Sequence, residues 1–99
     1  NVKTVEGAEA KYQRAQIYFN KGRTDEAEKE VLDFLDKNTT HQYWLARAYV
    51  LWSDIYLKKN DLFQAKATLQ ILDENYENNS DGIKQMVSDR IRRIEDLEN

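Results

Sequence analysis

Apolar residues recur at three- and four-residue steps in five separate stretches of the chain, the spacing that gathers one face of an α-helix. The first stripe, Ala8, Tyr12, Ala15, Tyr18 and Phe19, predicts a helix over about 4–21, with Gly22 as the left-handed residue that ends it. The second, Ala27, Val31, Phe34 and Leu35, predicts a helix over about 25–37, with Thr24 as N-cap and Asp25 and Glu26 at its positive end. Thr39, three residues ahead of Gln42, has the spacing of a capping box and starts a third helix near residue 40 that runs to Lys59. Asn60 can take the left-handed cap, Asp61 with Gln64 repeats the capping spacing, and Leu62, Ala65, Leu69 and Leu72 carry a fourth helix to about Tyr76. Beyond the polar NNSDG, Ser80 caps a last helix over about 81–97, with Ile83, Val87, Ile91 and Ile94 on one face. With no proline and only three glycines to break them, these stretches make the chain all-α.

The stripes repeat. Shifting residues 8–34 by 38 positions pairs Ala8 with Ala46, Ala10 with Ala48, Ile17 with Ile55, Tyr18 with Tyr56, Lys21 with Lys59 and Ala27 with Ala65. Ala15/Ser53, Phe19/Leu57, Val31/Leu69 and Phe34/Leu72 keep their size class at the same shift. The unit is therefore a helix pair used twice. The stretch AEAKYQRAQIYFNKGRTDEAEKEVLDFL resembles a tetratricopeptide repeat, and ARAYVLWSDIYLKKNDLFQAKATLQIL resembles a second copy. Ala15 and Ser53 stand at the family's small close-approach position, Tyr18 and Tyr56 at its aromatic, Gly22 at its turn, and Ala27 and Ala65 at its small second-helix contact. Lys11 stands where the family often has Trp, Asn60 replaces the second turn glycine, and the usual terminal proline is missing from both copies.

The resemblance implies an antiparallel helix-turn-helix, right-handed α-solenoid of about five helices in a single domain, 1–99. Repeat 1 spans about 8–38, repeat 2 about 40–76, and a capping helix about 81–97. The family repeat is about 34 residues, so the 38-residue spacing carries a surplus of four around 41–45, close to one helical turn, which lengthens the third helix at its N-terminus. The family's groove-facing positions fall on Glu9, Tyr12, Gln16, Phe19 and Asn20, then on Arg47, Val50, Asp54, Leu57 and Lys58, with Tyr43 continuing the second row. By resemblance, the chain is a non-enzymatic scaffold whose groove binds a peptide or helix of another protein. The alternative is a structural oligomerisation or end-cap module with no ligand of its own. The carboxylate clamp of some members is absent, because Tyr12, Gln16 and Leu51 occupy positions that would need Lys, Asn and Asn.

The last helix should cover the apolar face of Leu62 to Leu72, as a solenoid end requires. The first helix has no such cover, which implies further repeats upstream or contact between copies through Tyr12 and Gln16. Together with a chain that begins at Asn1, this suggests the C-terminal part of a longer bacterial protein, of the envelope or periplasm in preference to the cytoplasm.

Composition narrows the chemistry. A net charge of −3 makes no nucleic-acid polycation, no apolar run approaches a membrane span, and the lack of cysteine removes thiolate nucleophiles and thiolate metal sites. His41 is the only imidazole and sits in a turn, so a hydrolytic triad is not expected. Glu26, Glu30 and Asp33 read as a solvated acidic face, and DENYENNSDGIK fails as a calcium loop at Asn78 and Lys84. Lys84, Arg90, Arg92 and Arg93 form a basic surface that Glu95, Asp96 and Glu98 balance. Two sequons, at Asn38 and Asn78, matter only in a glycosylating route. No enzyme activity, metal, cofactor, nucleic acid or membrane insertion is expected. The aromatic stretch HQYWLARAYVLW then divides: Leu45, Ala48, Tyr49 and Trp52 toward the core, Tyr43, Arg47 and Val50 toward the groove, Trp44 on the border and His41 in the turn.

Overall fold

The computed structural model describes residues 3–99, which form five helices and no strand: α1 (Val5–Asn20), α2 (Thr24–Asp36), α3 (Gln42–Lys58), α4 (Leu62–Asn75) and α5 (Ile83–Glu98). α1 packs on α2 and α3 on α4; α3 also leans on α1 and α2, and α5 closes the far end against α4 and α3. The 38-residue shift carries α1 and α2 onto α3 and α4 with each end off by at most one residue.

The turns repeat at the level of single hydrogen bonds. Gly22 N–H donates to Phe19 O (3.0 Å) and Arg23 N–H to Tyr18 O (2.9 Å), and in the second copy Asn60 N–H donates to Leu57 O (3.0 Å) and Asp61 N–H to Tyr56 O (2.9 Å). Gly22 has φ +78° and Asn60 φ +62°, so the second copy keeps the left-handed turn with the one common non-glycine residue whose short amide side chain tolerates it.

Two cores result. The first gathers Ala8, Tyr12, Ala15, Ala27, Val31 and Phe34 with Ala48, Leu51 and Ile55 of α3, flanked by Trp44 and Trp52. The second gathers Ala46, Val50, Ala65, Leu69 and Leu72 with Ile83, Val87 and Ile94, which is how α5 covers the face of α4. The cover is incomplete, since Phe63 and Ile71 of α4 stay exposed.

Lys11 bridges the first pair. Its ammonium meets Glu30 and Asp33 of α2 at 2.7 Å each, so this acidic face is a helix-to-helix tie at the departure from the family aromatic. Burial works to lower the Lys11 ammonium, but hydrogen bonds to Asp33 and Glu30 outweigh it and hold it above its ordinary range. The same bond draws the Asp33 carboxyl below its own. The counterpart of Lys11 is the aromatic Tyr49, tilted against Trp52 at 6.0 Å.

Three helix starts differ from the sequence reading. α2 begins at Thr24 with Arg23 at the cap, its guanidinium forked on Glu26 (2.6 and 2.5 Å). α3 begins at Gln42, because the Thr39 hydroxyl accepts from His41 N–H (3.2 Å) in a local turn before the helix. α5 begins at Ile83 behind Gly82 at φ +90°. Asp81, not Ser80, accepts from Ile83 N–H (3.2 Å), while Ser80 is held by Asn78.

Candidate interaction groove

The first helices of the two pairs, α1 and α3, lie side by side, and α5 lies beyond α3. The expected groove positions fall in register-matched pairs on these two helices: Glu9/Arg47, Tyr12/Val50, Gln16/Asp54, Phe19/Leu57 and Asn20/Lys58. The middle of the row is closed. Tyr12 and Val50 are only 4% and 3% exposed, and they belong to the two cores instead of a free groove wall. The physical reason is common to both, because in each copy the next helix of the stack packs over this position. Tyr12 therefore offers no surface for contact between copies.

At the α1–α3 end the Tyr12 hydroxyl donates to Gln16 Oε1 (2.8 Å), and the Gln16 amide continues to Asn20 Oδ1 (2.9 Å). Arg47 donates to the hydroxyls of Tyr43 (2.8 Å) and Tyr12 (3.1 Å). Its guanidinium lies 4.9, 5.7 and 5.9 Å from the ring centroids of Tyr12, Tyr43 and Trp44, a cage in which π faces stand in for a carboxylate. Burial there opposes its charge, and the Tyr43 and Tyr12 contacts more than restore it, so the guanidinium is held above its ordinary range. Arg47, held by Tyr43 of its own helix, thus joins α3 to α1.

At the α3–α5 end Arg90 grips Asp54 with two bonds, Nε to Oδ1 at 2.7 Å and Nη2 to Oδ2 at 3.0 Å, and fastens α5 to α3. Beside this pair lies an open pocket of about 580 Å³ lined by Phe19, Asp54, Leu57, Lys58, Asp89, Arg90 and Arg93. Phe19 and Leu57 are half-buried in it, and Lys58 and Arg93 are exposed. Of the expected groove residues, Phe19, Asp54, Leu57 and Lys58 are brought together here.

Asp89, Arg90 and Arg93 lie outside the groove positions that the family register predicts. Arg90 and Arg93 appeared only as part of a basic surface, and that surface is split. Lys84 turns to Asp73 at α4, its ammonium donating to Asp73 O (2.7 Å), and Arg92 shares a different cleft with it. The three-residue step from Arg90 to Arg93, offset from the Ile83, Val87 and Ile94 stripe, was the available signal. The Arg90–Asp54 contact joins two different helices, and periodicity within α5 does not report that.

Other expected features fall outside the groove. Leu45 and Tyr49 are half-buried and line a smaller apolar pocket with Ile71, Leu72 and Tyr76. The His41 ring contacts Lys3 O (2.9 Å) and caps nothing with its side chain. The Tyr76 hydroxyl donates to Asp81 Oδ2; burial, then this bond and the carboxylate charge, push the phenol up to about 12. Among the described residues no group of three or more His, Cys, Asp or Glu side chains has the arrangement of a metal site, and no helix is long and apolar enough to cross a membrane.

Residues 8–33 match the family model described as Tetratricopeptide repeat. Neither a curated protein nor a solved structure matches the chain. Domains of the matched family are generally non-enzymatic scaffolds. The matched repeat and the five-helix, all-helical architecture fit a tetratricopeptide-type repeat protein.

Proposed function

We propose that the chain is a protein–protein interaction scaffold that receives a peptide or helix of its partner at the α3–α5 end of the groove. The observation that carries this reading is the pocket itself, where Phe19 and Leu57 leave apolar surface half-exposed beside Lys58 and Arg93. Apolar surface framed by charged groups is the makeup of an interface core with its rim. The two-bond pair of Arg90 with Asp54 holds α5 against α3 at this wall, so a partner meets a preformed surface.

A photo-crosslinking residue at position 58, compared with one at Lys29 on the exposed side of α2, tests the reading in the source cell. Crosslinks from position 58 and none from position 29 are expected; equal labelling at both refutes a groove-specific contact. The structural end-cap reading has one observation in its favour, since Arg47 and Asp54 are both satisfied within the chain. It predicts a folded protein that crosslinks to nothing from position 58.

A further inference from the structure

We infer that the α3–α5 pocket takes an acidic segment of a partner protein, with one carboxylate between Lys58 and Arg93 and an adjacent bulky apolar side chain over Phe19 and Leu57. This rests on the proposed groove function and adds the chemistry of the partner to it.

Positive charge is left over in this pocket. Three cations, Lys58, Arg90 and Arg93, line the pocket against two carboxylates, Asp54 and Asp89. Arg90 and Asp54 neutralise each other through their two-bond pair. Asp89, one helical turn before Arg93, accepts from the Gln85 amide at 2.7 Å and keeps its charge, so the lining carries one net positive charge. No hydrogen bond or ion pair joins the side chain of Lys58 or Arg93 to another described residue.

The chain as a whole carries −3, and its other lysines at helix contacts are matched: Lys11 by Glu30 and Asp33, Lys59 by Glu28 and Asp25, Lys66 by Glu98, Lys84 by Asp73. The pocket therefore stands out as a cleft whose lining is net positive on an acidic protein. Such a patch beside low-dielectric walls concentrates field lines and favours an anionic partner. The half-buried Phe19 and Leu57 exclude a fully hydrated anion as the best fit, because they give a neighbouring apolar side chain somewhere to lose its water.

A random peptide library displayed on phage, selected against the whole chain, supplies the probes, and selected peptides are then titrated as fluorophore conjugates. The expected consensus places Asp or Glu next to Leu, Ile, Phe or Tyr. Affinity should fall about tenfold in a Lys58→Gln, Arg93→Gln double variant and weaken steadily with added salt. Neither side chain holds the fold, and unchanged helical circular dichroism verifies this. Neutral or basic peptides that lose binding in Leu57→Ala but not in the double variant overturn the acidic partner and leave the groove reading standing. Acidic peptides indifferent to both variants bind elsewhere and overturn the inference. A chain from which no peptide is selected overturns both.

Discussion

Ile17 in α1 is 51% exposed, whereas its counterpart Ile55 in α3 is 0% exposed. The two helices are the same element in sequence register, and the difference comes from what lies behind them. α3 lays Trp44, Ala48, Leu51, Trp52 and Ile55 against the first core. The same positions of α1 are Glu6, Ala10, Gln13, Arg14 and Ile17, of which Glu6, Ala10, Gln13 and Arg14 are also exposed. A stacking face and a water face have thus been written onto one helix design by exchanging Leu for Gln and Trp for Arg or Glu. Lys59 makes the same point, since it reaches back to Glu28 (2.6 Å) and Asp25 (3.4 Å) of α2, while its identical counterpart Lys21 has no described helix behind it to reach.

The strongest way to break this comparison is to truncate both isoleucines. Ile55→Ala should cost about 2–5 kcal/mol through lost burial and the cavity left behind, and Ile17→Ala no more than about 0.5 kcal/mol. Urea denaturation measures both, and equal losses would mean that the α1 face is covered in solution.

The Lys11 tie comes next. Lys11→Ala leaves Glu30, whose side chain is 17% exposed, with only Arg14 at 4.0 Å, and should cost about 1–3 kcal/mol. It also changes the pH profile. The folded Asp33 carboxyl lies below its unfolded value, so its contribution is complete above the ordinary carboxylate range and is lost as pH falls through the folded value. In Lys11→Ala the acid-side loss of stability should become shallower. Stability that falls as steeply as in the parent would assign that slope to other carboxylates.

The paired turns give a smaller effect. A side chain at Gly22 would meet nothing within 4 Å, so the cost of Gly22→Ala is the left-handed backbone alone, about 1–2 kcal/mol. Asn60→Gly should change stability by less than about 0.5 kcal/mol, and a large loss there would show that the Asn60 side chain does more than tolerate its φ.

A last effect sharpens the comparison where the copies part. Asn38 leaves the first pair at φ +55°, whereas its counterpart Tyr76 is extended and anchored to Asp81. An ultraviolet titration should show one tyrosine ionising near 12, absent in Tyr76→Phe. The protonated phenol is favoured in the fold, so its contribution is present below the ordinary phenol range and lost as pH rises to about 12. The substitution should cost about 0.5–1.5 kcal/mol.

Much of the fold was legible because it is local. Stripes at helical spacing, Gly22 and Asn60 at the turns, and the 38-residue register all act within one helix pair. The helix starts at Thr24, Gln42 and Ile83 were less so, since Arg23, Thr39 and Ser80 each had competing nearby partners. Of the expected groove positions, the register alone was legible. Phe19, Asp54, Leu57 and Lys58 lie where the register puts them, but Tyr12 and Val50 are buried because a later helix crosses them. α3 has buried residues on most of its circumference, six in seventeen positions, so no single apolar face points to the free one. The bond from Asp54 to Arg90 spans 36 residues and two intervening turns, a distance over which sequence spacing carries no geometry.

The Lys11–Glu30 tie has a consequence for assembly. The corresponding positions in the second pair are Tyr49 and Thr68, the latter buried with its hydroxyl bonded to Gln64 O at 2.8 Å. A chain that contains nearly the same hairpin twice risks partnering α1 with α4 or α3 with α2 as it collapses, or trading hairpins with another molecule. Either error would leave the Lys11 ammonium against a threonine that has no charge to offer, or Glu30 against a phenol ring. The two hairpins carry different keys cut into the same blank, and correct pairing is the combination that fits both.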